Sequence, residues 1–153
     1  MRRVIIIRKD LNLSPGKLMA MSMHLAEAYW TNLIKKCYNQ EYKDGLVENF
    51  DGGCRFAIEV NDDIWEEYVN GIFTKTICEC KNLNQLKTKI APVIEELKLV
   101  EGVDWGYIND SCKTVLTPEN PDGTCTIGVW FKPMKDDDAH KISKKFKLYG
   151  AFD

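Results

Sequence analysis

Apolar residues run unbroken inside "RVIIIR", residues 3–8. A continuous β-branched run suits a strand covered on both faces, which predicts a central strand. Ser14 then stands as a helix cap with Pro15 in the first helical position, two independent start signals. The segment that follows is apolar on almost every side and predicts a helix to about Lys36. Residues 39–54, glycine-rich and acidic, read as a connection that need not be rigid. "RFAIEV" (55–60) predicts a short strand. "NDDIWEEYVNG" (61–71) has an Asn/Asp start, a staggered apolar face and a terminal glycine, and predicts a short helix. "TKTICECK" (74–81) alternates as a strand. Leu83, Leu86, Ile90, Val93, Ile94 and Leu97 recur at helical spacing, with Pro92 expected to kink the helix. "VDWGYIND" (103–110) predicts a strand, as do "KTVL" (113–116) and "TCTIGVWF" (124–131) around the loop "TPENPDG". Residues 136–150 predict a last helix, its aspartates at the positive end and its lysines toward the negative end. Strands alternating with helices give an α/β fold: one domain over residues 1–153, a mixed β-sheet with helices packed on both faces.

Composition narrows the class. The chain has 153 residues, 44% of them hydrophobic and 29% charged, the profile of a soluble domain with room for a core. No apolar run is long enough for a membrane span. The patch Val4 to Ile7 is closed by Arg8 after four residues, too short for an export signal. Six cysteines without such a signal point to a reducing, cytoplasmic setting and free thiols. Their spacings, with only two histidines, do not form a zinc set. No metal and no cofactor is expected. "CEC" (Cys78, Cys80) places both thiols on one side of a strand.

The charge is −2 overall but unevenly distributed. Residues 1–40 carry +5, residues 41–110 carry −8, and residues 111–153 carry +1. "HKISKKFK" has four lysines and no acid. If the two chain ends meet, they make a basic face on an otherwise acidic protein.

In open α/β sheets function collects outside the carboxyl ends of strands, on loops and helix starts. Lys17 falls in the first turn of the first helix, Asp110 at the end of a strand, and Thr114 four residues further on. A lysine at the positive end of a helix is locally unfavourable, so a carboxylate or anionic ligand is expected beside it.

These residues also carry a resemblance. "RKDLNLSPGKLMAMSMHLAEA" is similar to the R-x-D-L…G-K-x-A-A-Q-x-x-H-A segment of type 2 peptidyl-tRNA hydrolases. "INDSCKTVLTPE…DGTCTIGV" resembles that family's I-x-D-A-G-x-T-x-[IL]-x-P-G-[ST]-x-T-V-x-G stretch, and "KKFKLY" its closing L-K-L-Y. The blocks fall in order across the chain, except for about twenty residues in the region 40–60, which look inserted. The resemblance implies hydrolysis of the ester between a peptide and the 3′ end of tRNA, with no metal and no membrane. It places the family's functional residues on Lys17, Asp110 and Thr114, with Thr124 and Thr126 near the same turn.

Ester hydrolysis needs an attacking water, a group to handle its proton and a donor for the oxyanion. A lysine beside Asp110 lowers the carboxyl's pKa, so Asp110 is read as orienting water and positioning Lys17. Lys17 is read as the oxyanion or phosphate donor, and Thr114 as the hydroxyl on water or carbonyl. His24 is a secondary site residue, read as a hydrogen-bonded packing histidine, with a catalytic base as the alternative. Lys141, Lys144, Lys145 and Arg8 are expected to contact tRNA. Three departures stand out. Met21 replaces the family's glutamine, Ser111-Cys112 replaces Ala-Gly, and the loop before Gly123 is longer; a cysteine for a turn glycine predicts a changed backbone path. A non-catalytic tRNA- or protein-binding module and a deacylase of another acyl-tRNA stay open, as do monomer and homodimer.

Overall fold

The computed structural model describes residues 1–151. At its centre is β1 (Arg3–Arg8), every residue of which is buried. β1 pairs in parallel with β4 (Lys75–Cys80) and antiparallel with β6 (Cys125–Phe131). β5 (Trp105–Asp110) adds antiparallel to β6, and β7 (Lys147–Leu148) antiparallel to β4, for a five-stranded mixed sheet ordered β5-β6-β1-β4-β7. Alternation along β1 sends Val4 and Ile6 to one face and Ile5 and Ile7 to the other. The first pair packs under α3 (Leu83–Leu97) and α4 (Asp136–Ser143), together with Cys78 and Cys80. The second packs under α1 (Pro15–Lys43) and the short helix α2, an α turn at Asp62–Ile64 continued as a π turn at Trp65–Val69. The expected α/β class and the helices on both faces are therefore present. No helix among the described residues is long and apolar enough to cross a membrane.

Five segments differ from the sequence reading. Helix α1 continues past Lys36 to Lys43, because no breaker interrupts it before Gly45. Gly45 takes φ 72°, its N–H donates to the Tyr42 carbonyl and that of Leu46 to the Glu41 carbonyl, closing the helix in a left-handed cap. The connection after it is structured: β2 (Glu48–Phe50) and β3 (Gly53–Arg55) form a hairpin. Residues 56–60 are not a strand, since only Arg55 of that stretch finds a partner strand; Phe56 instead meets Tyr38 edge-on at 5.3 Å. Residues 113–116 are likewise not a strand: they add to no neighbour, and Val115 is exposed. The last helix stops at Ser143, and Lys147–Leu148 pairs with β4, whose outer edge would otherwise lack a partner. Helix α3 runs through Pro92.

Two contacts seat α1 on the sheet. A Cβ at Gly128 would lie 2.2 Å from the Ile6 carbonyl and 3.2 Å from Leu25 Cδ1, so only glycine lets β6, β1 and α1 approach this closely. Arg3, fully buried, reaches from β1 to both neighbours. Its Nε donates to the Phe131 carbonyl at 2.9 Å, and its two terminal nitrogens donate to the carbonyls of Ala26 and Leu25. Tyr29 lies beneath the guanidinium at 5.5 Å. Burial lowers the Arg3 pKa, opposed by the nearby tyrosines.

Arg3→Ala removes this buried tie and leaves a cavity. The expected loss is about 2–4 kcal/mol of unfolding free energy, measured as a lowered urea midpoint; a midpoint equal to that of the parent chain would contradict the assignment.

Candidate active site at the sheet rim

Strand directions decide what meets at one edge. β5 is antiparallel to β6, and β6 antiparallel to β1, so β1, β4 and β5 all point the same way. Their carboxyl ends share one rim, where α1 also begins. Ser14 accepts the Lys17 N–H at 3.4 Å and caps that start. Lys17 leaves the first turn with its Nζ directed at Asp110, the last residue of β5. The nitrogen donates to Oδ2 at 2.7 Å, with the side chains 23% and 11% exposed. Helix α1 has no acid in its first turn; Asp110, reached through the fold, supplies the negative charge that both the helix end and the lysine call for.

The other Asp110 oxygen, Oδ1, accepts the backbone N–H of Cys112 at 2.7 Å. This is an Asx turn, and Cys112 beyond it takes φ 57°. At the Ser111-Cys112 departure the cysteine takes the left-handed conformation that glycine adopts most readily. The Lys17 hydrogen bond holds the Asp110 carboxyl below its usual range. Burial opposes this, while the Cys112 amide and the charges of Lys17 and His24 assist it.

Thr114 lies in the bend beyond Cys112, exposed and without a side-chain hydrogen bond among the described residues. Thr124 and Thr126 are tied up in the loop that returns to β6. The Asn120 side-chain amide donates to both hydroxyls, at 3.0 and 3.1 Å, and the Thr124 hydroxyl donates to Asp122 at 2.6 Å. Thr126 is buried. Met21, in place of the family's glutamine, is a core residue.

Two readings are corrected. His24 is exposed and makes no hydrogen bond among the described residues, so it is not a packing histidine. It shares a helix face with Lys17, as seven-residue spacing requires, and its charge acts on Asp110. Arg8 is not free to meet phosphate. Its side chain is 5% exposed, it donates to both Asp10 oxygens at 3.1 and 2.8 Å and to the Thr126 carbonyl at 2.9 Å, and it pairs with Glu119. Glu119 also accepts the Thr126 N–H at 3.2 Å, fastening the loop 111–124 to the end of β1. Sequence reasoning missed Glu119 because its partner is 111 residues away; Asp10 was visible as the i+2 neighbour of Arg8.

The lysines expected to meet tRNA divide. Lys141 turns toward α3 and pairs with Glu96 at 3.4 Å and Asp138 at 3.7 Å. Lys144 and Lys145 line a cleft on the rim that carries Lys17 and Asp110.

A family model described as Peptidyl-tRNA hydrolase PTH2 matches residues 1–149. Comparison with curated proteins found no match.

Two substitutions test the local geometry. Cys112→Gly relieves the left-handed strain while keeping the Asx turn, so unfolding free energy should rise by about 1 kcal/mol; a lower melting temperature would count against the strained turn. His24→Ala should leave stability within about 0.5 kcal/mol, as for a surface residue, checked by the same melt.

Proposed function

The chain belongs to the peptidyl-tRNA hydrolase PTH2 family, and from that premise we propose that it hydrolyses the ester joining a peptidyl group to tRNA, with Lys17, Asp110 and Thr114 as the catalytic residues. The observation that carries this reading is the contact between Lys17 and Asp110. Two residues 93 positions apart meet at 2.7 Å at the carboxyl ends of the strands, and they are the two charged positions that the resemblance names.

The geometry suits distinct roles. Both Asp110 oxygens already accept a hydrogen bond, and the lysine holds the carboxyl ionised at neutral pH. A carboxylate so stabilised is a poor proton acceptor. Its part is to fix the Lys17 ammonium and to orient the attacking water through its remaining lone pairs. Lys17 spends one of its three N–H donors on Asp110 and directs the others outward, where the carbonyl oxygen of the ester gains negative charge in the tetrahedral transition state. The Thr114 hydroxyl, unengaged among the described residues, supplies a contact to the water or to the carbonyl. His24 lies on the Lys17 face of α1 and carries no assigned role in the chemistry.

The reading separates from a non-catalytic RNA-binding module by one comparison. Purified protein should release tRNA from N-blocked aminoacyl-tRNA much faster than from free aminoacyl-tRNA. Asp110→Asn keeps the shape of the side chain but loosens the lysine, and should lower kcat by about 100-fold or more with the fold retained. Its effect on stability follows the sign of the shift. An aspartate whose folded pKa is lowered stabilises the fold above its unfolded value of about 3.9 and loses that contribution as pH falls through the folded value. The variant should therefore match the parent in acid and be less stable at neutral pH. Parental turnover in Asp110→Asn would remove this carboxylate from the mechanism.

A further inference from the structure

Across Arg8 from the Lys17–Asp110 pair, the same rim holds a cleft of about 660 Å³. Its walls are the end of β1, the start of α3, and the turn from α4 into β7. Six lysines line it: Lys9, Lys81, Lys89, Lys144, Lys145 and Lys147. Two carboxylates, Asp10 and Glu79, share it, and both are engaged. Asp10 is held by Arg8, while Glu79 accepts from Lys9 at 3.1 Å and from the Gly150 N–H at 3.2 Å. Lys89 braces the wall, donating to the Lys145 carbonyl at 2.7 Å and lying over Phe146 at 5.4 Å. The ammonium groups of Lys81, Lys144 and Lys145 have no partner among the described residues. Converging like charges in a concave site repel one another until an anion neutralises them.

The strand order sets the distance from this cleft to Asp110. The cleft opens at the end of β4, and Asp110 ends β5, three strands away in the sheet. At about 4.8 Å per strand that separation is about 14 Å, the length of about four stacked nucleotides at ~3.4 Å of rise each. With the scissile ester at Lys17 and Asp110, only the last few nucleotides of the RNA reach the cleft, and in tRNA those nucleotides are unpaired. We infer that the lysine cleft is the subsite for the backbone phosphates of the single-stranded 3′ end of the substrate, with the duplex stem lying beyond it. This rests on the hydrolase reading for the position of the ester. Lysine contacts to phosphate carry no base information, so the subsite tolerates any sequence in the tail.

The test uses an unacylated single-stranded oligoribonucleotide with a free 3′ hydroxyl and a blunt RNA duplex of equal length. Each is titrated by fluorescence anisotropy against the full chain and against the double variant Lys81→Ala, Lys144→Ala. The single strand should bind the parent more tightly than the duplex does. The double variant should lose roughly tenfold in affinity for it, and its salt slope should flatten by about 1.4, at about 0.7 per phosphate contact on a single strand. In hydrolysis, KM for N-blocked aminoacyl-tRNA should rise about as much while kcat holds. Duplex preferred over single strand, or a double variant that binds the strand like the parent, overturns the subsite. Strand binding that depends on these lysines in a protein that cleaves no ester supports the subsite and overturns the hydrolase reading alone.

Discussion

A guanidinium stands at each end of the central strand, and neither can be buried until acceptors from other elements meet it. Arg3 is met by carbonyls of α1 and β6, and Arg8 by Asp10, Glu119 and the Thr126 carbonyl. Removing one partner of a buried charge costs about 3–5 kcal/mol, so these demands act as fasteners. Arg3 holds α1 down at the near end of the strand. Arg8 binds the rim loop to the far end, beside the residues that face Lys17. The position of the candidate site is therefore set by how the central strand is buried.

Within that frame the site resolves two local mismatches against each other. A lysine sits at the positive end of α1, and an aspartate ends a strand between the uncharged Asn109 and Ser111. Their contact answers both. The backbone N–H of Cys112 completes the carboxylate's coordination, at the cost of a left-handed cysteine. Strain of this kind persists only where the surroundings over-determine it, and here the Asx turn and the adjacent strand pairing do so.

Local signals were readable, and relational ones less so. The β-branched run of β1, the Ser14-Pro15 start and the periodicity of α3 each depend on neighbours in sequence, and each predicted its element. β7 and the unpaired stretch 113–116 depend on which strand edge lies open, something no local window contains. The reading of His24 went astray for another reason: seven-residue spacing already put it on the face of Lys17, and a face that opens on the rim is not a packing face. Arg8 was taken as the hydrophilic end of an apolar patch, although the strand it closes is buried along its whole length. Contact between Lys17 and Asp110 was anticipated from charge logic and from the resemblance; Glu119, whose partner is remote, had no such signal.

Helix α1 runs 29 residues from the rim, about 43 Å at 1.5 Å per residue, and delivers the chain to the hairpin at its far end. Residues 41–67, which begin in its last turn, hold nine acids and two basic residues, whereas the lysine cleft lies where the helix starts. The protein is thus an electric dipole tens of ångströms long, with the rim as its positive pole. In the field of a polyanion such a body experiences a torque before any contact forms, and it arrives already turned. The helix that packs the sheet thereby also biases the orientation of each diffusional approach. Because that bias acts over a Debye length of about 8 Å at physiological salt, it governs the final approach, when the two surfaces are within a few water layers of each other.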